Sequence, residues 1–181
     1  MLVNLFVTLF LLLCSTFILK KLFNLPRNVY LLFMAQPLIA SSSPIIVFIG
    51  GILASQLVTD PSIATLPLTL LILGVTIASI PAALLAKFKG RKFAIYVGLS
   101  LFLLASSLAM FSAIYASFAL FCIASLLFGF GLAFSQQLRF AAIESTKKPD
   151  DIPTTVSILM LSGVFAAFLG PEVAVVAKDW L

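Results

Sequence analysis

Long apolar runs alternate with short polar gaps along the whole chain. Six runs stand out, at roughly Leu2–Leu19, Tyr30–Val58, Ala64–Ala86, Phe93–Phe111, Ala116–Leu138 and Val156–Ala177. A run of about 18 or more apolar residues is long enough to cross the hydrocarbon of a bilayer as a helix. Each run is continuously apolar, whereas a barrel strand alternates lipid-facing and lumen-facing residues over about ten positions. A helix also satisfies its own backbone hydrogen bonds, as lipid demands. The pattern predicts an all-α, polytopic membrane protein of about six transmembrane helices with almost no soluble part.

Composition strengthens that expectation. Of the 181 residues, 62% are hydrophobic and 9% charged, against about a quarter charged in soluble domains. The net charge is +5, and its placement says more than its sum. Apart from Lys178, the basic residues sit in or beside the first, third and fifth gaps, at Lys20, Lys21, Arg27, Lys87, Lys89, Arg91, Lys92, Arg139, Lys147 and Lys148. The second and fourth gaps, around Asp60 and Ser112–Ser117, carry no Lys or Arg. Basic loops stay cytoplasmic, so the first, third and fifth loops are expected inside and the N-terminus outside. Basic groups that flank apolar spans do not read as a nucleic-acid surface. Cys14 and Cys122 lie within apolar runs and read as small hydrophobic residues, not as a disulfide framework.

The first run lacks the basic start and the A-x-A cleavage site of a signal peptide. It is expected as a retained helix stopped by Lys20-Lys21. Polar residues inside the other runs are the candidates for function. The second run contains Gln36, Pro37 and then Ser41-Ser42-Ser43-Pro44. A proline frees a backbone carbonyl and kinks the axis, and neighbouring serines offer that carbonyl a donor. The stretch reads equally as a serine-assisted kink or as a discontinuous helix lining a solute cavity. The fifth run holds Gly129 and Gly131, which permit close helix approach, then Gln136, Gln137 and Arg139. Gln136 and Arg139 share a helix face. Arg139 faces a cavity if the helix runs on toward Glu144, and snorkels to the surface if the helix ends near Leu138. The sixth run carries Gly163 and the pair Gly170-Pro171, a signature of a bend.

Other chemistry is missing. The chain has no histidine, which removes the usual general base and metal ligand. Its six acids form no paired constellation inside a helix, and no phosphate-binding G-x-x-x-x-G-K-[ST] loop occurs. Neither an enzyme nor a metal or cofactor site is expected.

The stretch Ala83-Leu84-Leu85-Ala86-Lys87-Phe88-Lys89-Gly90-Arg91-Lys92 resembles the loop motif G-x-x-x-D-R-x-G-R-R of the major facilitator superfamily. Gly90, Arg91 and Lys92 match its end. Ala83, Lys87 and Phe88 replace the first glycine, the aspartate and the first basic residue. Gly163 through Gly170-Pro171 resembles the family's fifth-helix motif, and Gly129-Phe130-Gly131 the glycines of its fourth-helix motif, with Ser125 where the arginine is usual. Arg139-Phe140-Ala141-Ala142, with the polar loop after it, is similar to a bacterial subgroup of facilitator permeases.

The resemblance covers residues 27–178 and makes the second run the family's first helix. It implies an N-terminal portion of a permease, residues 26–181, preceded by an additional helix and linker at residues 1–25. The family has twelve helices in two halves, so the resemblance also implies a truncated or fragmentary chain, whose missing half or oligomeric partner would complete it. The implied function is alternating-access transport of a small solute, with a coupling ion as a further partner, in a bacterial inner membrane. Gln36, Ser41, Ser42, Ser43, Gln136, Gln137 and Arg139 become the substrate-pathway candidates. Gly90, Arg91 and Lys92 become a cytoplasmic gating loop, and Gly163, Gly170 and Pro171 a helix-bend motif. The rival expectation is a small stand-alone membrane protein acting as an accessory subunit, with Gly51 and Ser55, or Ala82 and Ala86, packing against a partner.

Overall fold

A computed structural model describes residues 2–57, 63–146 and 148–178. The expected turn Thr59–Ser62 and the side chain of Ser55 lie outside what is described. Every described element is helical: α1 (Leu2–Leu22), α2 (Arg27–Ala40), α3 (Ser42–Leu57), α4 (Leu66–Lys89), α5 (Arg91–Ile114), α6 (Phe118–Ser135), α7 (Gln137–Ser145) and α8 (Ile152–Lys178). A short 3-10 turn, Pro149–Asp151, precedes α8. Among the described residues, six helical spans are long and apolar enough to cross a membrane, with α2 running into α3 and α6 into α7. The chain is an integral membrane protein.

The helices overrun the apolar runs at their polar ends. Residues Lys87–Lys92 are not a loop: Lys87 and Lys89 finish α4, Arg91 opens α5, and Gly90 alone separates two 24-residue helices. Gly90 adopts φ +88°, a left-handed backbone that glycine takes without steric cost. Hydropathy marks where lipid ends, not where the helix ends, and Lys and Arg are good helix formers. The α5–α6 connection is also tight. Ser112, fully buried, closes the α5–α6 turn by donating to the Ser117 carbonyl (2.9 Å), and Ser117 caps α6 at Leu120 N–H.

The chain divides into two compact units, residues 1–45 with 138–181, and residues 46–137. In the first, α2 packs on α8, and α1 lies against both. Leu12, Leu19, Leu25, Val29, Tyr30, Phe33, Ala142, Ile158 and Leu159 form its core. Phe33 meets Phe165 edge-on, with centroids 6.1 Å apart. The Tyr30 hydroxyl ties down the α1–α2 linker: it accepts from Leu25 N–H (3.2 Å) and donates to the Phe23 carbonyl.

The second unit is built on small residues. α4 buries Gly74, Ala78, Ala82 and Ala86, one every four positions, so they form a single stripe. Ala78, Ala82 and Ala86 meet Ala94, Ala133 and Phe134. A methyl on Gly129 would overlap the Leu71 carbonyl oxygen, and one on Gly74 the Leu126 carbonyl oxygen. The backbones of α4 and α6 therefore touch. Lipid supplies no hydrophobic drive between helices, so association rests on such close packing. Ala82 and Ala86 are used within this core and are not free for an outside partner. Large apolar side chains such as Phe17, Ile80, Leu103 and Phe168 point outward, as they must in a hydrocarbon solvent.

Candidate functional site

The candidates fall in both units. In the first, α2 presents one buried stripe: Val29, Tyr30, Phe33, Gln36 and Pro37, continued by Ser41. Gln36 is 8% exposed, and its Oε1 is buried without a hydrogen-bond partner among the described residues. Such an acceptor costs about 1–3 kcal/mol when left unmade.

One residue, Ser41, interrupts the helical pattern between α2 and α3. Its N–H still donates to the Pro37 carbonyl (2.9 Å) and its carbonyl accepts from Ile45 N–H (3.1 Å). Pro44 cannot donate to Ala40, which breaks the ladder. The Ser41 and Ser42 hydroxyls do not repair that carbonyl. They donate to the Leu38 and Ile39 carbonyls, each three residues back, at 2.8 and 2.7 Å. Ser42 and Ser43 are half-buried. α8 closes on this break through Gly170, where a methyl would overlap the Pro44 ring and stand 3.3 Å from the Ser41 carbonyl oxygen. α8 continues through Pro171 as one helix. Gly163 has open space where a side chain would be.

A second break falls at Gln136, between α6 and α7. No proline causes it. The Leu132 carbonyl there accepts from both Gln136 N–H (3.2 Å) and the Ser135 hydroxyl (2.7 Å), and a side chain that competes for a ladder carbonyl loosens a helix. Gln136 itself is exposed, whereas Gln137 is 5% exposed. Gln137 Oε1 accepts from Arg91 Nη1 at 3.0 Å. Thus the structure joins two residues that the sequence assigned to different places, a solute path and a loop. Nothing local pairs them, since they lie 46 positions apart; the α5–α6 packing brings them together.

Arg139 is half-buried. The helix runs on to Ser145, the end of a span that starts at Phe118. At 1.5 Å per residue, Arg139 lies about 32 Å along that span from Phe118, against a hydrocarbon core of about 30 Å. Ser125 is fully buried and donates to the Phe121 carbonyl at 2.9 Å. Gly74 had no place among the sequence candidates, although its four-residue spacing with Ala78, Ala82 and Ala86 signals it. Among the described residues, no group of three or more His, Cys, Asp or Glu side chains is placed to hold a metal.

The chain is similar to the riboflavin transporter RfnT of Brucella anthropi, with 35% identity over 153 residues. That alignment takes in 84% of this chain and 38% of the transporter, so the chain spans well under half the length of this relative. No protein-family model matches the chain. No solved structure matches it either.

Proposed function

We propose that the chain is the N-terminal portion of a secondary transporter of the major facilitator type, which carries a small solute across the membrane by alternating access. The observation that carries this reading is the 35% identity to a riboflavin transporter over 84% of the chain. Riboflavin, or a neutral heterocycle of its kind, is the solute that this similarity suggests. The lack of charged residues along α2 and α3 after Arg27 favours an uncharged solute. Since the aligned part is 38% of the relative, the remaining helices would come from further chain or from a second copy.

In this reading the breaks at Ser41 and Gln136 are where helices bend as the cavity changes sides. Gln36, with its unmet acceptor, and Ser41, Ser42 and Ser43 line the solute path. The Arg91–Gln137 bond ties the first turn of α5 to the α6–α7 break, so Gly90, Arg91 and Lys92 act at the inner gate. Arg139 and Gln136 stand at the inner mouth. Gly163, Gly170 and Pro171 set the course of α8 beside that path.

Uptake of labelled riboflavin tests the reading, in cells unable to make the vitamin. Two proteins are compared: this chain, and this chain continued by the C-terminal remainder of the Brucella transporter. Saturable uptake by either, lowered by Gln36→Leu, is expected. Background uptake by both, with the proteins present in the membrane, rejects riboflavin as solute.

A further inference from the structure

Gln36 sits at a level of the first unit that offers it no donor. α2 and α8 run side by side in the same direction, since Phe33 meets Phe165 and, further along both helices, Pro44 faces Gly170. Gln36 falls between those two contacts. The α8 residues buried between them are Ala166 and Leu169, and neither side chain carries a donor. The buried serines of this unit are committed elsewhere. Ser41 donates to the Leu38 carbonyl and Ser162 to that of Leu159, and a hydroxyl has one proton to give. Gln36 is 8% exposed, and its Oε1 stays buried with no partner among the described residues.

Packing does not account for a carboxamide here. Leucine or methionine would fill the same stripe with no polar group to desolvate. A polar side chain held at membrane depth marks a place where something else completes its bonding. A second acceptor lies near it on the same helix. Pro44 strands the Ala40 carbonyl. Residues 36 and 40 share a face, about 6 Å apart along the axis. The deficit is therefore one of donors. A cation at this depth would call for a carboxylate, and α2 and α3 contain none. An uncharged group with an N–H fits both the missing bond and the missing charge.

We propose that Gln36 recognises an N–H donor of the transported solute, and that the solute class is uncharged heterocycles with an amide or imide edge. This rests on the transport reading given above and adds a specificity residue to it. A carboxamide presents an acceptor beside a donor. A ring edge with N–H next to C=O meets it with two hydrogen bonds, as side-chain amides meet the edge of a base. A ring alkylated on that nitrogen has no proton to give and leaves Oε1 unmet.

Riboflavin carries such an imide, and its N3-methyl derivative lacks the N–H. The test is the uptake assay described above, with unlabelled riboflavin and N3-methylriboflavin as competitors. The unaltered protein should favour riboflavin by at least about tenfold in inhibition constant, because a site built to bond an N–H rejects the analogue without one. Gln36→Leu should raise the KM for riboflavin toward that of the methylated compound and shrink the preference to about twofold or less. Gln36→Met serves in its place where the leucine variant does not reach the membrane. Saturable riboflavin uptake that both compounds block equally overturns the proposal and leaves the transport reading standing; that result needs no variant to fold. A Gln36→Leu protein that keeps the full preference also overturns it, since another group then reads the N–H. No saturable uptake by the unaltered protein overturns the transport reading, and the proposal with it.

Discussion

The space around individual glycines sorts them into two kinds. Gly129 has no room, since a methyl would overlap the Leu71 carbonyl and stand 2.9 Å from Val75 N. Both obstacles are backbone and cannot swing aside. Gly129→Ala should therefore push α4 and α6 apart and destabilise the protein by about 1–3 kcal/mol, the usual penalty for overpacking. Gly163 lies in open space, so Gly163→Ala should be neutral or gain up to about 1 kcal/mol of helix propensity. Thermal unfolding in one detergent, with both variants side by side, checks the contrast. From residues alone Gly129 was expected at a close helix approach and Gly163 at a bend, but the room around either was not legible. A glycine's value depends on what stands opposite, and that is a property of the neighbouring helix.

At the level of elements, the breaks in two spans have different origins. The break at Ser41 was legible, because Pro44 removes a donor wherever it is placed. What the serines do there was not: they reach Leu38 and Ile39, not the carbonyl that Pro44 strands. The break at Gln136 carries no proline signal at all. The contact of α8 with the first break gives a direct test. Gly170→Ala should be costly while Pro44 fills the facing space. In a Pro44→Ala background the ring is gone and Ala40 regains a donor, so the second substitution should cost less. A double-mutant cycle on unfolding should show coupling of about 0.5–3 kcal/mol in the sense that the two changes compensate. Strict additivity would mean that α8 does not rest on the Pro44 ring.

For the whole molecule, orientation follows from charge. The α4–α5 turn is basic, whereas Ser112–Ser117 carries no charge, so the first should face the cytoplasm and the second the outside. Single cysteines test this in cells, after Cys14 and Cys122 are replaced. Lys89→Cys should react with a membrane-impermeant maleimide only after the membrane is opened. Tyr115→Cys, at a side chain 70% exposed, should react in intact cells. The reverse pattern would invert the topology. The number of spans, their approximate places and the all-helical fold were legible in the residues, because bilayer thickness and the need to pair every backbone group leave one solution for runs of that length. Pairing of helices was not legible. In lipid, apolar faces do not choose among one another by hydrophobicity, so the match of Gly74 to Gly129, the seat of Gly170 on Pro44 and the Arg91–Gln137 bond were decided by shape in the folded chain.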